Sequence, residues 1–335
     1  MAGPYALASN PGLHVAMENF SPTGTGPDSA VDHDAYRLRE AVARVPGMGD
    51  QPFVSSVLPG GLTNRNYRVS TADGRLMVVR LSSPQSSVLT IARNDEYLNA
   101  RAAAAAGVAP RVLAYAPEFS ALVIEWIEGR TFAAADLDDS LVLGRVAETC
   151  RALHAGSRFA TDFDMFELTR RYLDVAVERG YRIPTDYLSF LPQLTAIETA
   201  MAVQAEPTVP CHNDLLPANV MADDNQLWFI DFEYAGNGDA CFELGNLCSE
   251  AHLGTDRLEE LVAAYYGAPS TSKVARARLH ALMSNYGWTL WACIQAATSE
   301  LDFDFWGWGL EKYERAVADF RGPEVFRLIT DVQQP

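Results

Sequence analysis

The sequence predicts an α+β chain in two lobes, a small antiparallel sheet with one main helix followed by a lobe that is mostly helical. Three observations predict it. Short β-like runs separated by Gly-rich and Asp-Gly turns crowd between Phe53 and Leu81. From Gly129 onward the apolar residues recur at helical spacing, broken by a single strand-like island. The 335 residues also exceed the roughly 250–300 at which one hydrophobic core stops growing.

Taken in order, residues 1–30 carry Pro, Gly and Ser with little apolar period and are expected to form a flexible tail. Strands follow at Phe53–Leu58, Asn66–Thr71 and Leu76–Leu81. Pro59-Gly60-Gly61 separates the first pair, and Ala72-Asp73-Gly74 the second, where Asp-Gly is a hairpin signal. An alanine-rich helix over 88–106 should stop at Gly107, which suits the residue after a helix. Strands at Arg111–Tyr115 and Ala121–Ile127 complete a first lobe drawn at 31–127. The second lobe, 128–335, has helices at Ser140–Ala155, Met165–Gly180, Leu188–Gln204, Thr255–Tyr266, Ser272–Ala297 and Gly309–Phe320, around the strand-like Leu227–Asp231.

Charge narrows the function classes. With 26 Lys and Arg against 43 Asp and Glu, the chain carries a net charge of −17. That excludes a nucleic-acid binder, which needs a basic footprint to replace phosphate counterions, and it favours the approach of a cationic small molecule. The stretch before Arg37 lacks the basic start and apolar run of a secretory signal and the arginines of a transit peptide. The longest uncharged run, Ala281–Ser299, contains Ser284, Asn285 and Gln295 and reads as a buried helix rather than a membrane span. Five cysteines without a CxxC pair read as reduced thiols in a cytoplasm. Oligomeric state is not encoded in any of these features.

Four motifs in one order carry the chemistry. Pro59-Gly60-Gly61-Leu62-Thr63-Asn64 lies between two strands, where glycines let backbone N–H groups approach a phosphate; alone it is also an ordinary hairpin loop. Arg80 lies near the end of the third strand and Glu96 follows on the helix, the cation and the orienting carboxylate that phosphoryl transfer uses, or else a surface ion pair. In Cys211-His212-Asn213-Asp214-Leu215-Leu216-Pro217-Ala218-Asn219, Asp214 offers an acid–base group and Asn219 a neutral oxygen ligand for magnesium. Phe229-Ile230-Asp231-Phe232-Glu233 ends a strand in a carboxylate suited to the same ion. His212 beside Cys211, and His154 closing a helix, read as structural.

These residues resemble the choline/ethanolamine kinase branch of the aminoglycoside phosphotransferase superfamily, from about residue 53 to 321. His212-Asn213-Asp214 is similar to the choline kinase form of a loop that the wider superfamily writes His-Gly-Asp, and Ile230-Asp231-Phe232-Glu233-Tyr234 fits the same branch. So does Arg80, where aminoglycoside enzymes usually place lysine. The resemblance implies a protein-kinase-like bilobal fold and use of ATP and Mg2+. By position it implies Asp214 as catalytic base, Asn219 and Asp231 as magnesium ligands, Glu96 as partner of Arg80, and Glu125, Trp126 and Ile127 as the segment whose backbone meets adenine. Gly60, Gly61, Thr63 and Asn64 become the phosphate loop.

The C-terminal part carries the acceptor. Trp288, Trp291 and Gln295 lie at i, i+3 and i+7 on one helical face, in a segment similar to the family's substrate helix. A quaternary ammonium has no N–H to donate and must be held by aromatic faces and nearby negative charge. Tyr234, Phe303, Phe305 and Trp308 fall where the family has further pocket aromatics, and Glu250 where it has a substrate-side carboxylate. Choline is thus the expected substrate. Ethanolamine, an aminoglycoside or another small alcohol stands as an alternative, and a catalytically silent nucleotide-binding protein is the alternative of a different class. No nucleic-acid or membrane partner is expected.

Overall fold

A computed structural model describes residues 30–82, 89 and 91–335, with side chains from His33 onward. Residues 1–29 of the expected tail, and positions 88 and 90 of the expected helix, lie outside the described residues. The chain divides into two compact units: one of residues 30–82 and 110–128, the other of the remaining described residues.

The first unit is a five-stranded antiparallel sheet with one helix against it. Strands β1 (Phe53–Leu58), β2 (Asn64–Thr71), β3 (Leu76–Ser82), β4 (Val112–Ala116) and β5 (Ala121–Glu125) pair in the order β1-β2-β3-β5-β4. Helix α1 (Ala30–Ala43) was not expected from the sequence. It packs on the sheet through Leu38, Ala41, Val42 and, just beyond its end, Val45, against Val69, Met77, Val79 and Val123, all buried. Asp34 fastens it to β2, accepting from Arg65 at 2.9 Å and the Tyr67 hydroxyl at 3.0 Å.

Between β1 and β2, Gly60 and Gly61 have φ of +93° and +92°, a region that L side chains avoid. A Cβ at Gly61 would lie 2.8 Å from the Asn64 carbonyl, so the turn closes only with glycine there.

The second unit holds the remaining helices: α2 (Arg93–Ala105), α3 (Ser140–His154), α4 (Met165–Glu178), α5 (Leu191–Val203), α6 (Ala240–Glu250), α7 (Thr255–Tyr266), α8 (Thr271–Thr298), α9 (Phe305–Arg321) and α10 (Glu324–Asp331). Two small sheets lie among them. β6 (Arg130–Thr131), β8 (Val220–Ala222) and β9 (Leu227–Phe229) form one, and β7 (Val209–Cys211) pairs with β10 (Gly236–Gly238) in the other. Helix α2 is tied into this unit by buried Asn99, which donates to Ala235 O at 2.7 Å and accepts from Ala160 N at 2.8 Å.

Helix α8 is the axis of the unit. Its 28 residues, about 42 Å of helix, pack against α4, α6, α9 and α10. It covers the uncharged run expected to be a buried helix, and among the described residues no helix is long and apolar enough to cross a membrane. Arg276 and His280 on α8 meet Asp239, the N-cap of α6, at 2.5 and 3.1 Å.

Helices α6 and α10 were also not expected. In α6 every residue from Ala240 to Ser249 is buried, so no polar stripe marks it as a helix. Its contact with α8 is so close that a Cβ at Gly245 would lie 2.1 Å from the Ala277 carbonyl. Replacement of Gly245 by valine must therefore push the two helices apart. We expect a loss of about 3 kcal/mol in chemical denaturation, against a change near zero for the same substitution at Gly144, whose Cβ would meet nothing within 4 Å, once the helix propensity of valine is allowed for.

Candidate active site

The segment between β7 and β8 turns sharply and is held from behind. The Glu243 carboxylate on α6, fully buried, accepts the backbone N–H of His212 at 3.1 Å and of Asn213 at 2.8 Å. His154 approaches Glu243 at 3.5 Å through Nε2 and bonds the Tyr265 hydroxyl through Nδ1 at 2.7 Å. Burial pushes the Glu243 carboxyl up, but His154, His212 and the Asn213 amide outweigh it and leave the group below its ordinary value. Cys211 completes this buried cluster, its thiol pushed well up by burial and then by the Glu243 charge. All five cysteines are free thiols and buried, as expected.

Asn213 has φ of +65°, in the left-handed region. Asparagine tolerates that region better than most residues because its amide bonds locally. Here Asn213 Nδ2 lies within 3.1–3.2 Å of three carbonyls, those of Cys211, Tyr234 and Gly236. The residue thus supplies both the backbone turn and a tie to β10. His212 is structural, as its setting suggested: its Nε2 donates to Ile230 O at 2.7 Å, which leaves Nδ1 to accept from Asp214 N at 3.3 Å.

Asp214, Asn219 and Asp231 are brought together by these ties. Asn219 Nδ2 donates to Asp214 O at 2.9 Å and reaches Asp214 Oδ2 at 3.5 Å. The Asn219 carbonyl accepts Ile230 N at 3.0 Å, and Asp231 follows with φ of +73°, a second left-handed residue at the site. The Asp214 carboxyl is raised well above its ordinary value by burial, then by the charges of Asp231, Glu233 and Glu250, with Lys312 opposing. Such a crowd of carboxylates favours a divalent cation. With its amide turned to Asp214, Asn219 keeps Oδ1 as a hard donor, and Asp231 supplies a carboxylate; the pair could hold Mg2+.

Around this centre, Arg93 on α2 donates to Glu96 at 2.7 Å and to Glu233 at 3.2 Å. Sequence reasoning missed Arg93; its place three residues before Glu96 was the only signal.

The aromatics expected around an acceptor form a contiguous patch. Trp291 Nε1 donates to the Tyr234 hydroxyl at 2.8 Å, and the Trp291 ring meets Phe305 and Trp308 edge-on at 5.8 and 5.5 Å. Tyr234 meets Trp288 at 5.0 Å, and Phe303 meets Phe305 at 4.8 Å. Trp288 Nε1 donates to Asn246 Oδ1 at 3.2 Å, while Asn246 Nδ2 reaches Leu215 O, beside Asp214, at 3.2 Å. Glu250 is not open-ended: Lys312 Nζ lies 2.5 Å from its Oε1. Lys312 is the second residue that sequence reasoning missed, because a lysine on an amphipathic helix reads as solvent-facing.

In the sheet unit, Arg80 is buried on β3 opposite Asn66 and Leu122, and buried Asn64 donates to Thr63 Oγ1 at 3.1 Å. Glu125 at the end of β5 is engaged by Arg111, whose N and Nε lie 2.9 and 2.6 Å from its carboxylate. The Trp126 ring lies under the Arg68 guanidinium at 4.9 Å and its Nε1 donates to Glu128.

Residues 55–282 match the Phosphotransferase enzyme family. The chain belongs to that family. Protein LicA of Haemophilus influenzae is 25% identical over 270 residues, covering 77% of this chain and 77% of LicA. Ethanolamine kinase 1 of Homo sapiens is 24% identical over 330 residues, covering 85% of this chain and 72% of that protein. Among solved structures, a choline/ethanolamine kinase family protein from Mesorhizobium loti superposes with a TM-score of 0.77 at 28% identity, over 90% of this chain and 98% of that one. The kinase-like fold and the resemblance read from the sequence therefore stand, and the phosphotransferase is a small-molecule kinase of this type.

Two outcomes follow for the phosphotransferase's loop. Asn213→Ala keeps the strained turn but loses the amide's bonds, and should lower stability by about 2–3 kcal/mol, whereas Asn213→Gly, relieved of strain, should lose less; denaturant titration of both checks this. Because the folded Glu243 carboxyl sits below its ordinary value, its contribution is present above the unfolded carboxylate range and is lost as pH falls through the lower folded value. Glu243→Gln should flatten that acid slope in stability measured against pH.

Proposed function

We propose that this phosphotransferase transfers the γ-phosphoryl group of ATP to the hydroxyl of a small amino alcohol, choline first. The observation that carries the reading is the Asp214–Asn219 contact beside Asp231, in the same unit as an aromatic patch that suits an onium ion. ATP and Mg2+ supply an electrophilic phosphorus and a counter-charge for its oxygens. Asp214 orients the acceptor hydroxyl and takes its proton as the new O–P bond forms and the bond to the departing ADP oxygen breaks. Asn219 and Asp231 are the proposed metal ligands.

On the nucleotide side, backbone N–H groups around Gly60, Gly61, Thr63 and Asn64 are the proposed phosphate loop, and Arg80 the phosphate cation. Glu96 is the proposed orienting carboxylate, and the backbone of Glu125, Trp126 and Ile127 the adenine contact. Residues 31–127 and 128–335 are the proposed lobes. The acceptor's cationic head rests among Tyr234, Trp288, Trp291, Phe303, Phe305 and Trp308, with Glu250 nearby. Ethanolamine is the second reading, favoured by one observation: Glu250 is a carboxylate able to accept from an N–H group. A cytoplasmic setting suits five buried, reduced thiols.

Asp214→Ala should lower kcat by about a thousandfold or more while Mg-ATP binding stays measurable by calorimetry. Normal turnover by that variant would refute the assignment of the base. Trp308→Leu, at the partly exposed edge of the patch, should raise KM for choline about tenfold and leave KM for ATP alone. A screen of amino alcohols, sugars and aminoglycosides for ATP consumption tests the acceptor class directly, and consumption with sugars alone would remove the amino alcohols.

A further inference from the structure

We infer that Lys312 is a positioning residue that sets the choice among amino alcohols, by holding Glu250 and so favouring an onium ion without N–H groups over a primary ammonium. The inference rests on the amino-alcohol reading above.

Lys312 is only 2% exposed, an unusual place for a lysine. Its Nζ lies 2.5 Å from Glu250 Oε1 and 4.3 Å from the centroid of the Trp308 ring. The lysine therefore brings a cation onto a face of the aromatic patch and takes one oxygen of the carboxylate that borders it, neutralising its charge. Burial draws its ammonium below the ordinary value, and Glu250 pulls it back.

Several other polar atoms around the patch are also engaged. The Trp291 N–H goes to the Tyr234 hydroxyl, the Trp288 N–H to Asn246, and Asn246 also takes the Ser284 hydroxyl at 2.7 Å. Glu233 is bound by Arg93. What the patch offers a ligand is ring surface and diffuse negative charge.

A primary ammonium brings three N–H groups and a tight hydration shell. Each N–H that enters without an acceptor costs about 1–3 kcal/mol, and Glu250, with its Oε1 on Lys312 and its charge neutralised there, offers only its second oxygen, a weakened acceptor for one of the three. A quaternary ammonium has nothing to donate, and aromatic faces suffice for it. The charge of the Lys312–Glu250 pair acts on both ions alike, so acceptor availability is what separates them. Apolar residues of equal volume commonly hold such a place as well as a buried ion pair does, whereas removing one partner alone leaves a buried charge and destabilises.

The test compares kcat/KM for ethanolamine, N-methylethanolamine, N,N-dimethylethanolamine and choline with the wild-type chain. The value should climb with each methyl and favour choline over ethanolamine by about tenfold or more, the equivalent of one lost acceptor. A flat or falling series overturns the inference while leaving the amino-alcohol reading intact. Phosphorylation of none of the four overturns both.

Lys312→Met, which frees Glu250, should move the choline-to-ethanolamine ratio about tenfold towards ethanolamine. The double variant Lys312→Met with Glu250→Gln, which frees no carboxylate, should return most of that shift, and Lys312→Arg should keep the wild-type ratio. Each ratio is taken within one preparation, so a smaller folded fraction cannot move it. A ratio in Lys312→Met within twofold of wild type sinks the assignment, as does an equal shift in Lys312→Arg.

Discussion

The rest of the site depends on one buried carboxylate. Glu243, with no solvent contact, takes the backbone N–H groups of His212 and Asn213 on its two oxygens. Two charge-assisted bonds to adjacent amides fix the plane of a peptide as well as its position. Asp214 follows that peptide directly, so its side chain inherits the orientation. An anion can be kept in such a place only because amides and a histidine surround it. The cost of burying Glu243 is offset by the definition it gives to a loop that must otherwise sit in a sparsely populated conformation.

Much of the fold was legible because its signals are local. Strand Phe53–Leu58 was read to the residue from its stop at Pro59-Gly60, and helix Thr255–Tyr266 from its apolar spacing and the glycine beyond it. Helix α1 escaped although Leu38, Ala41, Val42 and Val45 stand at i, i+3, i+4 and i+7, because the turn-formers before it set the tone of the whole segment. Helix α6 was hidden for the opposite reason: burial on all sides erases the period. In the site, Asp214, Asn219 and Asp231 were legible as polar residues whose order matches a chemical need. Arg93 and Lys312 were not, since the meaning of a cation lies in its partner across the fold, at Glu233 and Glu250.

Charge is distributed unevenly around the site. Asp214, Asp231, Glu233 and Glu250 gather near one another, opposed by Arg93 at one side and Lys312 at the other. Arg93 engages Glu233 on one side and Lys312 engages Glu250 on the other, with Asp214 and Asp231 lying between them in the same crowd of carboxylates. Carboxylates gathered in this way suit a small hard ion, and an amide rather than a carboxylate at Asn219 keeps the negative charge from growing larger still.

The long helix α8 bears on how the acceptor is met. It carries Trp288 and Trp291, runs against six other helices, and is buried along most of its length from Ala275 to Gln295. Buried amides in its middle turns belong to the core, the part of a fold that opens least readily. Those two indoles are accordingly presented on a frame that stays assembled between turnovers. A ligand of the proposed aromatic patch would spend little entropy on ordering its walls.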